Sequence, residues 1–407
     1  MKILHTADWH LGDNFHGFDR VAEHEHFLRW LTDLISNEKP DALLVSGDIY
    51  DNANPSAQAE ELLYSFLVSA TMANPGMRII ITSGNHDSGR RLQAPSGLMR
   101  PLGAEVRGLV EKTDKGEPDI DNLIIPVSAI GNPEEKALVL AVPYLRSGDY
   151  EQKDTMSNSI RSFFMSVAKR ARRLYGKDLP IILMAHLYAA GAEVALNEHS
   201  ERLVVGGEDC IDVDQLNVEA EYVALGHIHK AQQVGADDNM VFYAGSPVPM
   251  SFTEKDYTHG VNKIVLGASG GMIVEQVEYT PLRALQSIPK KGDAPLADIL
   301  EQIKALPKAS KVDPDCWPYV EIRLKDADAN PAAQNEIMNA LSERAARLCR
   351  LIRVVPEGKG KDKKRKMNSL DQLRNISPLD IALDAYLQAT GNEMGDEEIN
   401  RFKKCLE

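Results

Sequence analysis

The chain has 407 residues, 43% of them hydrophobic, with 46 basic and 60 acidic side chains and a formal net charge of −14. That length and apolar content suit two or three domains with real cores, and the acidic balance excludes a protein that coats nucleic acid through bulk charge. The N-terminal MKILHTADWH lacks an apolar h-region, no run reaches the ~18 apolar residues of a membrane helix, and Cys210, Cys316, Cys349 and Cys405 form no Cys-x-x-Cys pair; the expectation is a cytosolic protein with no membrane partner, no disulfide scaffold and no zinc knuckle.

Residues 1 to about 265 alternate strand-like and helix-like segments, the pattern of a layered α/β domain. Ile3 and Leu4 lead into Asp8-Trp9-His10. Residues 20–36 then place Val21, Phe27, Leu28, Leu31, Leu34 and Ile35 near helical spacing, and His24 and His26, beside Glu23 and Glu25, read as solvated helix residues. The apolar run Ala42, Leu43, Leu44, Val45 reads as a parallel strand buried on both faces; it stops at Gly47-Asp48, with Asp51 just beyond. A carboxylate at a strand's carboxyl end, where open α/β sheets place ligands, has two oxygens and can bridge two cations.

Asn54-Pro55-Ser56 opens a second helix with an apolar band of Ala59, Leu62, Leu63, Phe66, Leu67 and Ala70. Core packing is the plainer reading of that band; a subunit interface shared with residues 91–102 is the sharper one. Ile79, Ile80 and Ile81 lead into Gly84-Asn85-His86-Asp87, where Asn85 offers a neutral oxygen to a cation and His86 an acid that need not be a ligand. Short strands at 123–127 and 138–142 and a helix over 150–175 follow. Residues 180–184 lead into His186, and Tyr222 to Leu225 lead into Gly226-His227-Ile228-His229. Five strands thus release oxygen or imidazole ligands at the same end. The long irregular stretch between His186 and Gly226 suits a substrate groove.

MVFYAGSPVPMSF, GVNKIVL and GMIVEQVEY read as antiparallel strands completing the core. Residues 282–291 turn basic and polar, which places a boundary there; helices at 295–306 and 331–348 and strands at 319–324 and 351–355 make a small α/β unit. EGKGKDKKRK, residues 357–366, has no apolar side chain and is a solvated linker or a phosphate-contacting arm. Two short amphipathic helices follow, one opened by Ser377-Pro378, the other over 396–406; neither can bury its face alone, and the basic linker favours docking to a partner.

The set Asp8-x-His10, Gly47-Asp48, Gly84-Asn85-His86-Asp87, His186 and Gly226-His227-x-His229 resembles the calcineurin-like metallophosphoesterase superfamily. The strings ILHTADWHLG, GDIYD, SGNHDS, ALGHIHKAQ and YAGSPVPMSF are similar to its SbcD-type nuclease branch. The five motifs cover the first 250 residues or so; the last 120 or so resemble the branch in arrangement alone. The resemblance implies a layered β-sandwich flanked by helices over residues 1–281, a small α/β capping, DNA-binding domain over 282–356, a basic linker over 357–369 and partner-docking helices over 370–407.

It further implies two divalent metal ions, usually manganese, one held by Asp8, His10, Asp48 and His229 and the other by Asp48, Asn85, His186 and His227. His86 would protonate or stabilise the leaving group. Relatives commonly carry His where Asp51 stands, so Asp51 is a second-tier catalytic residue that orients His86, carries a water or does neither. The implied activity is cleavage of DNA ends and hairpins in repair and recombination, as a homodimer within a heterotetramer with an SbcC-like coiled-coil ATPase. A phosphodiesterase of small nucleotides and a non-catalytic DNA-end scaffold are the alternatives.

Overall fold

The computed structural model describes residues 1–193, 210–216, 218–236, 240–267 and 271–354, with isolated positions 395 and 399. The chain divides into two units, Met1–Leu203 with Asp209–Pro356, and Val204–Glu208 with Glu357–Glu407. The linker and C-terminal helices expected over 357–407, and most of the irregular stretch before Gly226, lie outside the described residues.

Two six-stranded sheets face each other in the first unit. One has the order Met272–Tyr279, His259–Leu266, Lys2–Thr6, Ala42–Ser46, Arg78–Thr82, Ala104–Arg107, its last four strands parallel. The other runs Gln232–Gln233, Val241–Tyr243, Tyr222–Gly226, Ile181–His186, Asn132–Ala141, Ile124–Ala129, with a parallel centre. Val241–Tyr243 pairs parallel to Tyr222–Gly226, not antiparallel as expected; the two strands on the far edge of the first sheet are antiparallel.

Strand alternation explains why the apolar runs contain no polar gaps. Ile3, Ala42, Leu44 and Ile80 point between the sheets and meet Ile182, Met184 and Ala224. Their neighbours Leu4, Leu43, Val45, Ile79 and Ile81 point outward, onto Phe27, Leu31 and Ile35 of helix Val21–Glu38 and Leu63, Phe66 and Leu67 of helix Ala57–Ala73. On the opposite outer face, Leu183 and Leu225 pack on Phe164, Val167 and Ala171 of helix Met156–Tyr175. Both faces of each central strand are covered, so both parities must be apolar. Helix Ala57–Ala73 starts where Ser56 Oγ accepts the Ala59 N–H at 3.2 Å, and its whole expected apolar band is core. A different face of it leaves Tyr64, Val68 and Met72 exposed.

His24 is buried, contrary to the solvated reading, and burial pushes its pKa down to about 3. His26 is half-buried and shares a 2.7 Å hydrogen bond with the Tyr279 hydroxyl. Glu23, beside them, is fully buried and accepts hydrogen bonds from Arg20, Arg283 and the Tyr319 hydroxyl, the last at 2.7 Å. Glu23→Ala would leave two buried guanidinium groups without their shared carboxylate, a loss of about 3–5 kcal/mol. The expected result is a clear fall in the urea midpoint, with Glu23→Gln less affected.

Arg283 and Tyr319 belong to a β-α-β-α-β arrangement. Its parallel sheet has the order Leu285–Ile288, Tyr319–Lys325, Arg347–Val354, with Ile299, Ile303 and Ile337 of helices Leu296–Ala305 and Pro331–Leu341 packed on Val320, Ile322 and Leu324. Leu285–Ile288 is a strand inside the stretch whose polar composition reads as a boundary. The second helix ends before the expected 348 because tertiary bonds capture the backbone there: Ala345 N–H donates to Pro307 O at 2.8 Å, and Glu343 O accepts Ala309 N–H at 2.9 Å.

Candidate metal centre

Strands Lys2–Thr6, Ala42–Ser46 and Arg78–Thr82 of one sheet and Ile181–His186 and Tyr222–Gly226 of the other end on one edge of the sandwich. The loops beyond them are tied together. Asp8 N–H donates to Gly47 O at 3.1 Å and His10 N–H to Asp48 O at 3.0 Å. The Asp87 carboxylate accepts from Gly84, Ile49 and Tyr50 N–H at 2.8, 3.1 and 3.0 Å. Asp8, His10, Asp48 and His227 all have positive φ, at 54°, 46°, 48° and 102°. Such backbone costs on the order of 1–3 kcal/mol per residue and persists where its surroundings over-determine it, typically at functional sites. Gly84 and Gly226 are required for packing: a Cβ on Gly84 would overlap the Asp48 carboxylate, and one on Gly226 the Ser46 carbonyl.

The structure brings all nine expected side chains together. Asp8, His10 and His229 form one group and Asp48, His186 and His227 another, each with a ligand-type atom per residue lying within 4.8 Å of the others. Asn85 joins the second group: its Oδ1 is 2.9 Å from His186 Nε2 and 3.0 Å from His227 Nδ1. Asp48 stands between the groups, with Oδ2 3.2 Å from His186 Nε2 and 3.8 Å from His10 Nε2. His186 Nδ1 lies 2.9 Å from the Ser46 carbonyl, so the carbonyl takes the Nδ1 proton and Nε2 is the nitrogen presented to the group.

Burial alone would raise the Asp48 carboxyl, but His186, His10 and His86 outweigh it and hold Asp48 well below the usual carboxylate range. Burial raises Asp8. For His186 burial is overcome by Asp48 and Asp8, lifting it to about 9, whereas burial takes His227 down to about 3. For His10 burial is likewise overcome, by Asp51 and Asp48, and its pKa rises. Among the described residues, Asp8 Oδ2 and both ring nitrogens of His10 are buried with no hydrogen-bond partner. Unsatisfied buried polar atoms cost about 1–3 kcal/mol each, and three of them face a pocket of carboxylate, amide and imidazole donors. That donor set, with no thiolate, fits borderline-to-hard divalent cations.

Asp51 meets His86 through its main chain and groups with His10 and His86 through its carboxylate. His86 Nδ1 is 2.8 Å from the Asp51 carbonyl, which can only accept, so Nδ1 carries a proton and Nε2 is left to face outward. The Asp51 carboxylate is 3.7 Å from His10 Nδ1, a contact with His10 that lowers its pKa despite partial burial. Two residues at the site lie outside the expected set. Asp87, which closes the Gly84 motif without an expected role, braces two loops and is lifted to about 6 by burial and by Asp48; Glu254, which no motif contains, has Oε1 3.3 Å from His229 Nδ1.

The calcineurin-like phosphoesterase family model matches residues 1–231, and a type 5 capsule protein repressor C-terminal domain model matches residues 281–390. The SbcD component of the nuclease SbcCD of Rhodobacter capsulatus is 36% identical over 336 residues, covering 80% of each chain. The protein of that name from Escherichia coli K12 is 31% identical over 79% of this chain and 78% of its own. That of Bacillus subtilis is 29% identical over 98% of this chain and 96% of its own. With more than half its length matched by the family model and four-fifths aligned to a curated relative, the chain belongs to the calcineurin-like phosphoesterase family, as a metal-dependent nuclease of the SbcD group.

Proposed function

We propose that the chain is a manganese-dependent DNA nuclease that cuts at double-strand ends as an exonuclease and at hairpins or single strands as an endonuclease. One observation carries the reading: two ligand groups share Asp48 as a common wall, and buried polar atoms of Asp8 and His10 there have no hydrogen-bond partner among the described residues. In this reading Asp8, His10, Asp48 and His229 hold one cation, and Asp48, Asn85, His186 and His227 hold the other. When bound, two such ions supply Lewis-acid stabilisation of phosphate oxygens and activate a water for in-line displacement.

The chain's own residues do the rest. Ser46 O sets the His186 tautomer, and the Asp87 carboxylate holds residues 48–51 against 84–86. Asp51 O keeps the proton on His86 Nδ1, so that His86 in its charged form would deliver the Nε2 proton to the leaving oxygen. Two added cations also offset the acidity of the chain where a phosphodiester must approach.

The relatives' name makes each of them one component of a nuclease named for two, SbcC and SbcD. We extend that to an SbcC-like coiled-coil ATPase partner in a heterotetramer, with the basic stretch 357–369 as linker and residues 370–407 as its docking segment, and residues 282–356 as a capping domain that contacts DNA. The exposed Tyr64, Val68 and Met72 face supports a homodimer.

The test is cleavage of blunt and hairpin DNA by chelator-treated protein resupplied with Mn²⁺, Mg²⁺ or Zn²⁺, with and without the ATPase. Cutting with Mn²⁺ is expected to exceed that with the other ions. Turnover of a cyclic or dinucleotide far above that of DNA would overturn the proposal in favour of a small-nucleotide phosphodiesterase.

A further inference from the structure

Glu254 is 2% exposed and lies in the segment that follows the second sheet, away from every ligand motif. Its Oε1 is 3.3 Å from His229 Nδ1 and accepts the Ser251 hydroxyl at 3.2 Å, while Oε2 accepts Met250 N–H at 2.8 Å. The segment itself is anchored. Arg20 Nη1 donates to Pro249 O at 2.9 Å, and the buried Phe252 packs on Phe15 and Tyr319. The carboxylate is therefore held from both sides with one oxygen turned to the imidazole.

We propose that Glu254 is a positioning residue for the cation at Asp8, His10 and His229. It keeps the proton on His229 Nδ1, which leaves Nε2 as the nitrogen that joins Asp8 and His10, and it fixes the ring plane at the same time. The physical basis is general: a carboxylate on the far nitrogen of a ligating imidazole sets its tautomer and raises its basicity, and loss of such a partner costs about 10- to 100-fold in metal affinity. Glutamine in its place would still accept the Nδ1 proton but supply no charge. The inference rests on His229 being a ligand, as proposed above.

The experiment is a Mn²⁺ titration of the chelator-treated full-length protein, read by calorimetry and by electron paramagnetic resonance, for the native chain, Glu254→Ala, Glu254→Gln and His229→Ala. Nitrogen-15 spectra of histidine-labelled protein report which His229 nitrogen carries the proton. Expected are a weakening of one cation by about 10- to 100-fold in Glu254→Ala, a smaller weakening in Glu254→Gln, an unchanged second cation, and loss of the Nδ1-H form only in Glu254→Ala. If Glu254→Ala does not fold, Glu254→Gln decides. Native binding of both cations by the folded Glu254 variants, or equal weakening of both, overturns the positioning role provided His229→Ala loses one cation. Native binding of both by His229→Ala instead overturns the ligand assignment itself.

Discussion

Asp48→Ala is expected to reduce bound Mn²⁺ from two ions to fewer than one and to bring DNA cleavage to background. Asp48 reaches both groups, with Oδ2 near His186 and His10, and its Oδ1 accepts the His86 N–H at 2.8 Å. In the proposed arrangement its removal would take a charge from each cation and free the loop that carries His86. A neighbour of a ligand is worth about 10- to 100-fold in affinity, so a shared ligand should exceed that at each position. Asp48→Asn keeps the shape and one oxygen, and should retain part of the affinity without the activity. Metal content after desalting, read beside cleavage, checks both. Two tightly held ions in Asp48→Ala would remove the shared wall from the proposed mechanism.

His86→Ala should behave differently, losing about 10²- to 10⁴-fold in kcat, the range of a positioned acid, with the metal content of the native protein. The geometry behind this is the Nδ1-to-Asp51 carbonyl bond, which commits the other nitrogen to the substrate side. A p-nitrophenyl phosphodiester separates the possible roles, because its leaving group departs without a proton. If His86 protonates the leaving oxygen, that ester should be cleaved almost as well by His86→Ala as by the native chain. An equal loss on DNA and on the ester would show instead that His86 stabilises the phosphate or its geometry. Intact function in cells for a folded, metal-loaded His86→Ala that no longer cuts DNA would favour the non-catalytic scaffold.

The residues around these two positions differ in how far along the chain their causes lie. At Asp8, Asp48 and Asn85 an apolar run, a turn and a ligand fall within ten residues, so local pattern is sufficient to find them. Glu23 and Glu25 carry the same local pattern and have opposite fates. Glu25 is exposed, whereas Glu23 is buried by Arg283, 260 residues away. The solvated reading of His24 fails because its ring is buried within reach of His10 and Asp51, which lie on other segments, and Leu285–Ile288 escapes a local reading because its partner strand begins at Tyr319.

Residue type and short spacing were enough for the strand-end motifs, the family and the two-sided burial of the central strands. What had no local cause had to wait for the folded chain. The expected ligands come from two separate sheets and meet only because both sheets end on one edge. His86 Nδ1 meets the main-chain carbonyl of Asp51, and Glu254 reaches His229 across a loop. Positive φ at four of the ligand positions is held by hydrogen bonds from distant segments, and neighbours along the chain carry no information about that.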